Sequence, residues 1–309
     1  MRIACVGFNQ ESLVCLKKFQ EVDLPVCGLI MGEGQIEKKG SDYQDLSYFA
    51  LENSIPFMQT YDINSYSVKQ WLKSLNIDVV FIMGWSQLID DEFLKIPNMY
   101  TIGSHPSNLP YGAGRAPIVW SILEELKDSA VTFFKVVNKA DAGNIILQKK
   151  FTIPSNSNSR QLYDIVSSIL ANGFIELYGQ LLSNSICEIE QDMSARVVRG
   201  KRIYEDGYID FSRMTSHQVD LLIRATTDPY PGAFTFYKKR KITIWGSEQN
   251  NTDGYKGTPG QILAKNKDRV LVQCSDRPIW IVELEFDSVD LNYDKVNIGN
   301  KFDINRGIF

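Results

Sequence analysis

His105 is one of only two histidines in the chain, and it lies in a polar run with two prolines at 103–110. A second polar segment, 139–144, contains Asp141. Histidine changes its charge near neutral pH, and a carboxylate beside it orients the imidazole and stabilises its charged form. The two residues therefore predict an acid-base pair. The alternative is a loop histidine with local hydrogen bonds and an aspartate that only forms a turn before Gly143.

The cysteines and serines do not indicate a covalent mechanism. None of them lies in a G-x-S-x-G nucleophile elbow. The acid-base pair is therefore expected to serve direct transfer.

Two glycine-containing segments are candidates for ligand contact. Residues 7–10 (GFNQ) include Asn9 and could bring backbone N–H groups to a phosphate, but they lack the G-x-G-x-x-G spacing and equally fit a plain strand-to-helix turn. Residues 111–117 (YGAGRAP) offer Tyr111 and Arg115, an anion clamp, in a loop that enters a helix. The alternative for this second segment is a flexible connection without a ligand.

The elements that must position these residues alternate between strand and helix over about the first 180 residues. Strands are predicted at 3–6, 26–31, 79–83, 100–103, 130–136 and 145–153, and helices at 65–75, 90–96, 116–126 and 160–182. Such alternation predicts a doubly wound, mostly parallel, Rossmann-like sheet, whose ligands bind beyond the carboxyl ends of the strands. His105 then follows one strand, and the segment 84–88 follows another, at the same edge.

The second half of the chain has a different pattern. A helix at 215–226 precedes short strands separated by Gly, Pro and Asp residues, which predicts a small antiparallel, OB-like barrel. We place the domain boundary near residue 195, with a Rossmann-like catalytic domain at 1–195 and the barrel domain at 196–309.

Composition narrows the class of protein. The 309 residues carry a net charge of −4, which disfavours a surface built to bind RNA or DNA. Five cysteines without CxxC spacing indicate neither a disulfide framework nor a zinc site, so no metal is expected. No apolar run of about 18 residues and no signal-like N-terminus are present, so we expect a cytoplasmic protein without a membrane partner.

Several ordered motifs give the chain a family resemblance. They lie at 105–110 (HPSNLP), 114–118 (GRAPI), 131–132 (VT), 141–146 (DAGNII), 202–210, 223–225 and 228–234. Together they resemble the folate-dependent formyltransferases, in particular the two-domain members with a C-terminal OB-like barrel. Among these, the segments 114–117 and 139–143 are most similar to enzymes that N-formylate nucleotide-linked amino sugars.

The resemblance implies a reaction and a set of roles. An acceptor amine attacks the formyl carbon of the co-substrate 10-formyltetrahydrofolate. His105 would polarise the formyl oxygen and shuttle protons, while Asp141 would orient a water or the histidine and accept the amine proton. The pterin would lie against the loop after the strand at 79–83 and the loop before Asn144. The implied cofactor-binding residues are Met83, Trp85, Gln87, Leu88, Ile89, Lys139 and Asp141.

One position departs from the family pattern. The family carries an asparagine two residues before the histidine, where it donates to the developing oxyanion, and this chain has Gly103 there. Losing one such donor costs roughly 100- to 1,000-fold in rate. We therefore expect a main-chain N–H, a water, Ser104, Ser107 or Asn108 to substitute, or the enzyme to be slow.

The acceptor is inferred from charge and motif. We expect an amino deoxysugar linked to a nucleotide, as used in cell-surface glycans such as the O-antigen of lipopolysaccharide. The acidic balance disfavours tRNA. The second hypothesis is a methionyl-tRNA formyltransferase, and the third is a folate- or nucleotide-binding relative without catalysis. A homodimer is possible on the sequence alone. The expected acceptor-binding residues are Asn9, Tyr111, Arg115, Arg202 and Arg224.

Overall fold

A computed structural model describes residues 1–33, 42–250, 252–287 and 291–302. Its internal contacts divide the chain into two compact units. The first contains 1–117, 127–153 and 162–201, and the second contains 118–126, 154–161 and 202–309. Two short segments of the N-terminal half thus belong by their contacts to the second unit, which no change in composition indicates.

The first unit is built on a seven-stranded sheet. Its strands are β1 (Ile3–Gly7), β2 (Val26–Gly32), β3 (Phe57–Thr60), β4 (Val79–Met83), β5 (Tyr100–His105), β7 (Asp128–Lys135) and β8 (Ile145–Thr152). The order is β3-β2-β1-β4-β5-β7-β8, parallel through β5 and antiparallel at β7 and β8. The predicted doubly wound, mostly parallel fold is confirmed, and the strand order reverses between β1 and β4.

The residues that the structure describes before position 183 form six α-helices. They are α1 (Gln10–Glu21), α2 (Ser47–Glu52), α3 (Tyr66–Ser74), α4 (Asp91–Leu94), α5 (Pro117–Leu123) and α6 (Ser159–Leu182). α1 begins with a capping box in which Asn9 and Ser12 satisfy each other's backbone N–H groups. At α6 we expect a serine cap from the sequence, but Asn158 Oδ1 accepts from the Gln161 N–H at 3.0 Å and takes that role.

Phenylalanines join α6 to the sheet. Phe174 of α6 lies 4.7 Å from Phe81 and 5.0 Å from Phe133 between ring centroids, and all three are buried. Among the described residues, α6 alone is long and apolar enough by composition to cross a bilayer. Since a helix packed against a sheet meets the same criterion, we interpret α6 as a core helix.

Two short strands lie outside the seven-stranded sheet. β6 (Tyr111–Gly114) pairs in parallel with β9 (Val197–Arg199). The prediction of a loop over 111–117 is therefore wrong for its first four residues. The sequence pattern around 111–114 could not predict this strand, because the strand forms only by pairing with a partner some eighty residues further along the chain.

The second unit contains a helix and an antiparallel sheet. α7 (Ser216–Thr226) precedes β10 (Ala233–Tyr237), β11 (Arg240–Glu248), β12 (Ile262–Asn266), β13 (Arg269–Gln273) and β14 (Pro278–Phe286). The five strands pair in the order β10-β11-β14-β13-β12. Aliphatic residues of α7, such as Val219 and Ile223, lie in one core with β-strand residues such as Ile244. The predicted C-terminal antiparallel domain is confirmed in this form.

Candidate active site

His105 and Asp141 meet at the carboxyl end of β5. His105 is the last residue of β5, whereas the sequence prediction placed it just beyond that strand. Its Nδ1 lies 3.7 Å from Asp141 Oδ1, and its Nε2 lies 3.0 Å from the carbonyl oxygen of Gly112. Because a carbonyl only accepts hydrogen bonds, Nε2 carries the proton. In the neutral ring, Nδ1 is then the basic nitrogen, and it faces the carboxylate.

The distance between His105 Nδ1 and Asp141 Oδ1 leaves room for a hydrogen-bond donor that both atoms can accept from. At 3.7 Å, Nδ1 and Oδ1 are too far apart for a direct hydrogen bond. Both are acceptors when His105 is neutral. An N–H or O–H group placed between them would therefore donate to either, as a proton leaving an amine requires.

Burial and charge set the pKa of His105 in opposite directions. The side chain is 7% exposed, and desolvation is the largest influence, lowering the pKa of the imidazole below its usual 6.5. Asp141 and the Gly112 carbonyl raise that pKa, while Arg199 and Arg196 lower it. His105 is consequently neutral, and able to accept a proton, at pH 7.

Asp141 sits in the turn between β7 and β8 with a φ of +50°, a conformation that L residues seldom adopt. Its Oδ2 accepts a 2.9 Å hydrogen bond from the Gly114 N–H of β6. This bond fixes one carboxylate oxygen and leaves the other directed at His105.

On the face of β5 that carries His105, the side chains next to Gly103 are apolar. Residues two apart on a strand share a face, and Gly103 pairs with Phe134 of β7. A Cβ added at Gly103 would lie 3.1 Å from Phe134 Cζ and 3.0 Å from Val136 Cγ2. The Phe134 ring therefore takes the space next to residue 103, where the family resemblance would put an amide.

Of the three side chains proposed to replace that amide, only Ser107 lies buried beside His105. The Ser104 hydroxyl donates to the Ile82 carbonyl at 3.4 Å, on the opposite face of β5 from His105, and Asn108 is exposed. Ser107 is different, because it is 2% exposed and its Oγ has no hydrogen-bond partner among the described residues. Its N–H donates to the His105 carbonyl at 2.9 Å, which puts Ser107 beside the histidine.

The loop after β4 lies at the neighbouring strand end. Met83 is buried at the end of β4, Ile89 lies in the hydrophobic core, and Leu88 is 56% exposed. The Trp85 ring packs edge-on against Phe8, and its buried Nε1 has no hydrogen-bond partner in the described part of the chain. An aromatic ring with an unused donor beside an exposed leucine fits a flat heteroaromatic ligand such as a pterin.

Hydrogen bonds to the turn after β3 hold this loop in place. Gln87 Nε2 donates to the Tyr61 carbonyl at 2.6 Å, and Gln87 Oε1 accepts from the Ile63 N–H at 3.1 Å. Asn64 donates to the Leu88 carbonyl at 2.9 Å. The side chain of Gln87 is therefore used within the protein, whereas the loop it fixes presents Leu88 outward.

The remaining residues predicted in the first unit have mixed placements. Asn9 caps α1 and packs against Gly84, so it lies where the strand order reverses, and its Oδ1 is bonded to Ser12. Lys139 is exposed in the Asp141 turn. Tyr111 is 39% exposed, and Arg115 follows β6 with an exposed side chain.

Arg202 and Arg224 belong to the second unit. Arg202 stacks on Trp120 and donates to the Asp206 carbonyl at 2.7 Å. Arg224 pairs with Asp220 at 2.8 Å and donates to the Ser157 carbonyl at 2.9 Å. Both guanidinium groups thus have contacts within their own unit. Arg224 links α7 to the segment 154–161, a structural role that its position in the sequence does not suggest.

Three residues that sequence reasoning did not assign to the site surround the pair. Gln191 and Arg196 donate to carbonyls of the Asp141 turn, and Arg199 packs over Gly112 and under the Tyr111 ring. The only signal in the sequence was the basic character of 196–202. Across the ranges that the structure describes, no group of three His, Cys, Asp or Glu residues could hold a metal ion.

Comparisons with known proteins agree on the family. The model of the formyl transferase family matches residues 37–177, and that of the formyl transferase C-terminal domain matches residues 202–291. The bifunctional polymyxin resistance protein ArnA of Wigglesworthia glossinidia brevipalpis is 29% identical over 81% of this chain, but this chain spans only 38% of its length. The methionyl-tRNA formyltransferase of Caldanaerobacter subterraneus is 25% identical over 92% of both chains.

A solved structure shows the same fold along nearly the whole chain. WlaRD, a sugar 3N-formyl transferase crystallised with dTDP and 5-N-formyl-THF, is 21% identical with a TM-score of 0.67, over 92% of this chain and 97% of its own. At that identity the likeness concerns the fold.

Proposed function

We propose that this chain, which belongs to the formyl transferase family and has both its N-terminal and C-terminal domains, moves a formyl group from 10-formyltetrahydrofolate to the amino group of a nucleotide-linked amino deoxysugar. The observation that carries the proposal is the His105–Asp141 pair, two acceptors that converge on a 3.7 Å gap. An acceptor amine becomes cationic as it attacks the formyl carbon, and such a gap accepts its proton.

The acid-base roles follow from the two nitrogens of His105. Nδ1, with Asp141 beside it, takes the amine proton. Nε2–H donates to Gly112 in the resting protein, and we assign it to the formyl oxygen once that bond is exchanged. The Asp141 carboxylate stabilises the imidazolium that forms, because an opposite charge at this distance favours the charged ring.

The folate co-substrate supplies an activated formyl group when it is bound. We assign its heteroaromatic ring to the loop 84–89, with Trp85 donating through the indole N–H that has no partner within the described residues. We assign the exposed Lys139 and the main chain at Leu88 to the border of that place, and the buried Met83 and Ile89 to its floor. We place this chemistry in the catalytic domain predicted at 1–195.

The acceptor is assigned from charge and from relatives. A net charge of −4 disfavours a long phosphate backbone. Tyr111 and Arg115, exposed on and just after β6, offer a ring and a cation to a nucleotide. WlaRD supports the assignment, because it is a sugar formyl transferase crystallised with dTDP. A cytoplasmic place in cell-surface glycan synthesis follows from this acceptor.

Methionyl-tRNA is the second candidate acceptor. It is favoured by the relative from Caldanaerobacter subterraneus, which matches this chain over 92% of both lengths. The two acceptors differ in how affinity responds to salt, because a protein that neutralises many phosphates loses affinity steeply as salt rises.

A side-by-side transfer assay separates the candidates. The purified protein is incubated with 10-formyltetrahydrofolate and either a panel of dTDP- and UDP-linked amino sugars or methionyl-tRNA, and the N-formyl product is measured by mass spectrometry. We expect product from an amino sugar and none from methionyl-tRNA, with the His105→Ala variant as the inactive control.

Formylation of methionyl-tRNA alone would replace the first proposal with the second. Absence of product from every acceptor, combined with tight binding of 5-formyltetrahydrofolate in calorimetry, would indicate a folate-binding relative without catalysis.

A further inference from the structure

The Asp141 turn is held from outside by one later stretch of chain, which we call the return segment (188–199). Arg196 Nη1 donates to the Asp141 carbonyl and Nη2 to the Ala140 carbonyl, both at 2.8 Å. Gln191 Nε2 donates to the Asp141 carbonyl at 3.0 Å and to the Gly143 carbonyl at 2.7 Å. Two side chains thus bind three carbonyl groups of this turn, those of residues 140, 141 and 143.

This turn needs external support because its backbone is strained. Asp141 has a φ of +50°, a left-handed backbone conformation that costs a non-glycine residue free energy and is stabilised by bonds to its surroundings. The Asp141 carbonyl accepts from both Arg196 and Gln191, so these bonds fix the peptide whose orientation sets the direction of the carboxylate. Gln191 is only 5% exposed, so water does not readily replace its donor.

The return segment also holds the other member of the pair. Its strand β9 pairs with β6, which supplies the Gly112 carbonyl to His105 and the Gly114 N–H to Asp141. The Ile145–Ile189 bridge and the Asn144–Glu188 hydrogen bond anchor the start of the segment to β8. One stretch of chain therefore fixes both the histidine and the aspartate.

We propose that Arg196 and Gln191 are positioning residues that hold the Asp141 carboxylate in register with His105 for proton transfer. The proposal rests on the function proposed above, and it assigns these two side chains no contact with either substrate. A carboxylate displaced by about 1 Å would cost roughly 100-fold in turnover, because proton transfer depends steeply on geometry.

Variants are chosen to separate charge from geometry. Arg196→Lys keeps the positive charge but loses the planar fork that reaches two carbonyls at once. Gln191→Met keeps the volume and loses the donor. Arg213→Lys, at an 87%-exposed arginine, is the matched control.

The decisive measurement is the coupling to Asp141. We expect Arg196→Lys and Gln191→Met to lower kcat roughly 10- to 100-fold with little change in KM, and to have no further effect in an Asp141→Asn background. A residue that binds the acceptor or merely supports the fold would lower activity equally in both backgrounds, and that result would overturn the proposal.

A readout in the resting protein makes the test independent of the acceptor. With only two histidines, His217→Gln leaves the His105 imidazole as the single histidine signal in NMR. Since Asp141 raises the pKa of His105, Gln191→Met, which changes no charge, should lower that pKa further, and should not change it once Asp141 is Asn. An unchanged pKa in the Gln191→Met protein contradicts the positioning role. If no acceptor is formylated while this coupling is present, the proposed function fails and the positioning role stands.

Discussion

Replacing Gly103 by asparagine tests whether the face of β5 that carries His105 has room for an oxyanion donor. The structure predicts that it does not. A Cβ at this position would lie 3.1 Å from Phe134 Cζ and 3.0 Å from Val136 Cγ2, and the amide would extend further along the same direction. Forcing it in should cost about 1–3 kcal/mol of unfolding free energy, as for other overpacked cores.

The predicted result is a less stable protein that is no faster. Overpacking of that size lowers the melting temperature by roughly 2–10 °C in a chain of this length. Gly103→Ala is the matched control, because it adds the Cβ contact without the amide. Removing the Phe134 ring in the double variant Gly103→Asn/Phe134→Ala should make room for the amide. The kcat of the double variant should then be roughly 100- to 1,000-fold above that of Phe134→Ala alone.

The assay combines single-turnover formyl transfer with calorimetric melting of each variant. A large rate gain in Gly103→Asn alone, with no loss of melting temperature, would show that Phe134 does not fill this space. A double variant that folds but gains nothing would show that residue 103 does not face the reacting carbonyl oxygen.

Three further predictions concern the pair, a buried acid and a glycine. His105→Ala, Asp141→Ala and the double variant should lose similar activity, because the two residues act as a unit, and the acid limb of the kcat profile should lie below 6.5, since burial lowers the pKa of His105. Burial raises the pKa of Glu11 from 4.5 to about 8, so the folded state holds a proton that the unfolded state releases, and the stability of the native protein falls as pH rises from 4.5 through about 8. In calorimetry, the unfolding free energy of Glu11→Gln should therefore exceed that of the native protein by roughly 3–5 kcal/mol at pH 9 and by nothing at pH 4. An equal pH dependence of the two proteins would contradict this. Gly114→Ala should lower both kcat and melting temperature, since its φ is +103° and the added Cβ would lie 2.3 Å from the Arg199 carbonyl oxygen; unchanged values would refute the assigned role of β6.

The sequence by itself determined the fold class and the central pair. Continuous apolar runs such as Val79–Met83 mark strands that are buried on both faces, and their period and flanking turns depend on neighbours close in sequence. His105 and Asp141 were predictable because the residue types and the ordered motifs around them are local features. The parallel strands place the carboxyl end of β5, and with it His105, at the ligand-binding edge, but Asp141 follows the antiparallel β7, so only the folded turn before β8 brings the two residues together.

Only the tertiary structure decided what surrounds that pair. β6 exists because β9 pairs with it from far along the chain, and Arg196 and Gln191 reach the Asp141 turn from 55 and 50 residues away. The ring of Phe134 beside Gly103 is likewise a cross-strand contact. No local pattern encodes such pairings, because hydrogen bonds and side-chain packing between distant segments form only when the whole sheet brings the segments together.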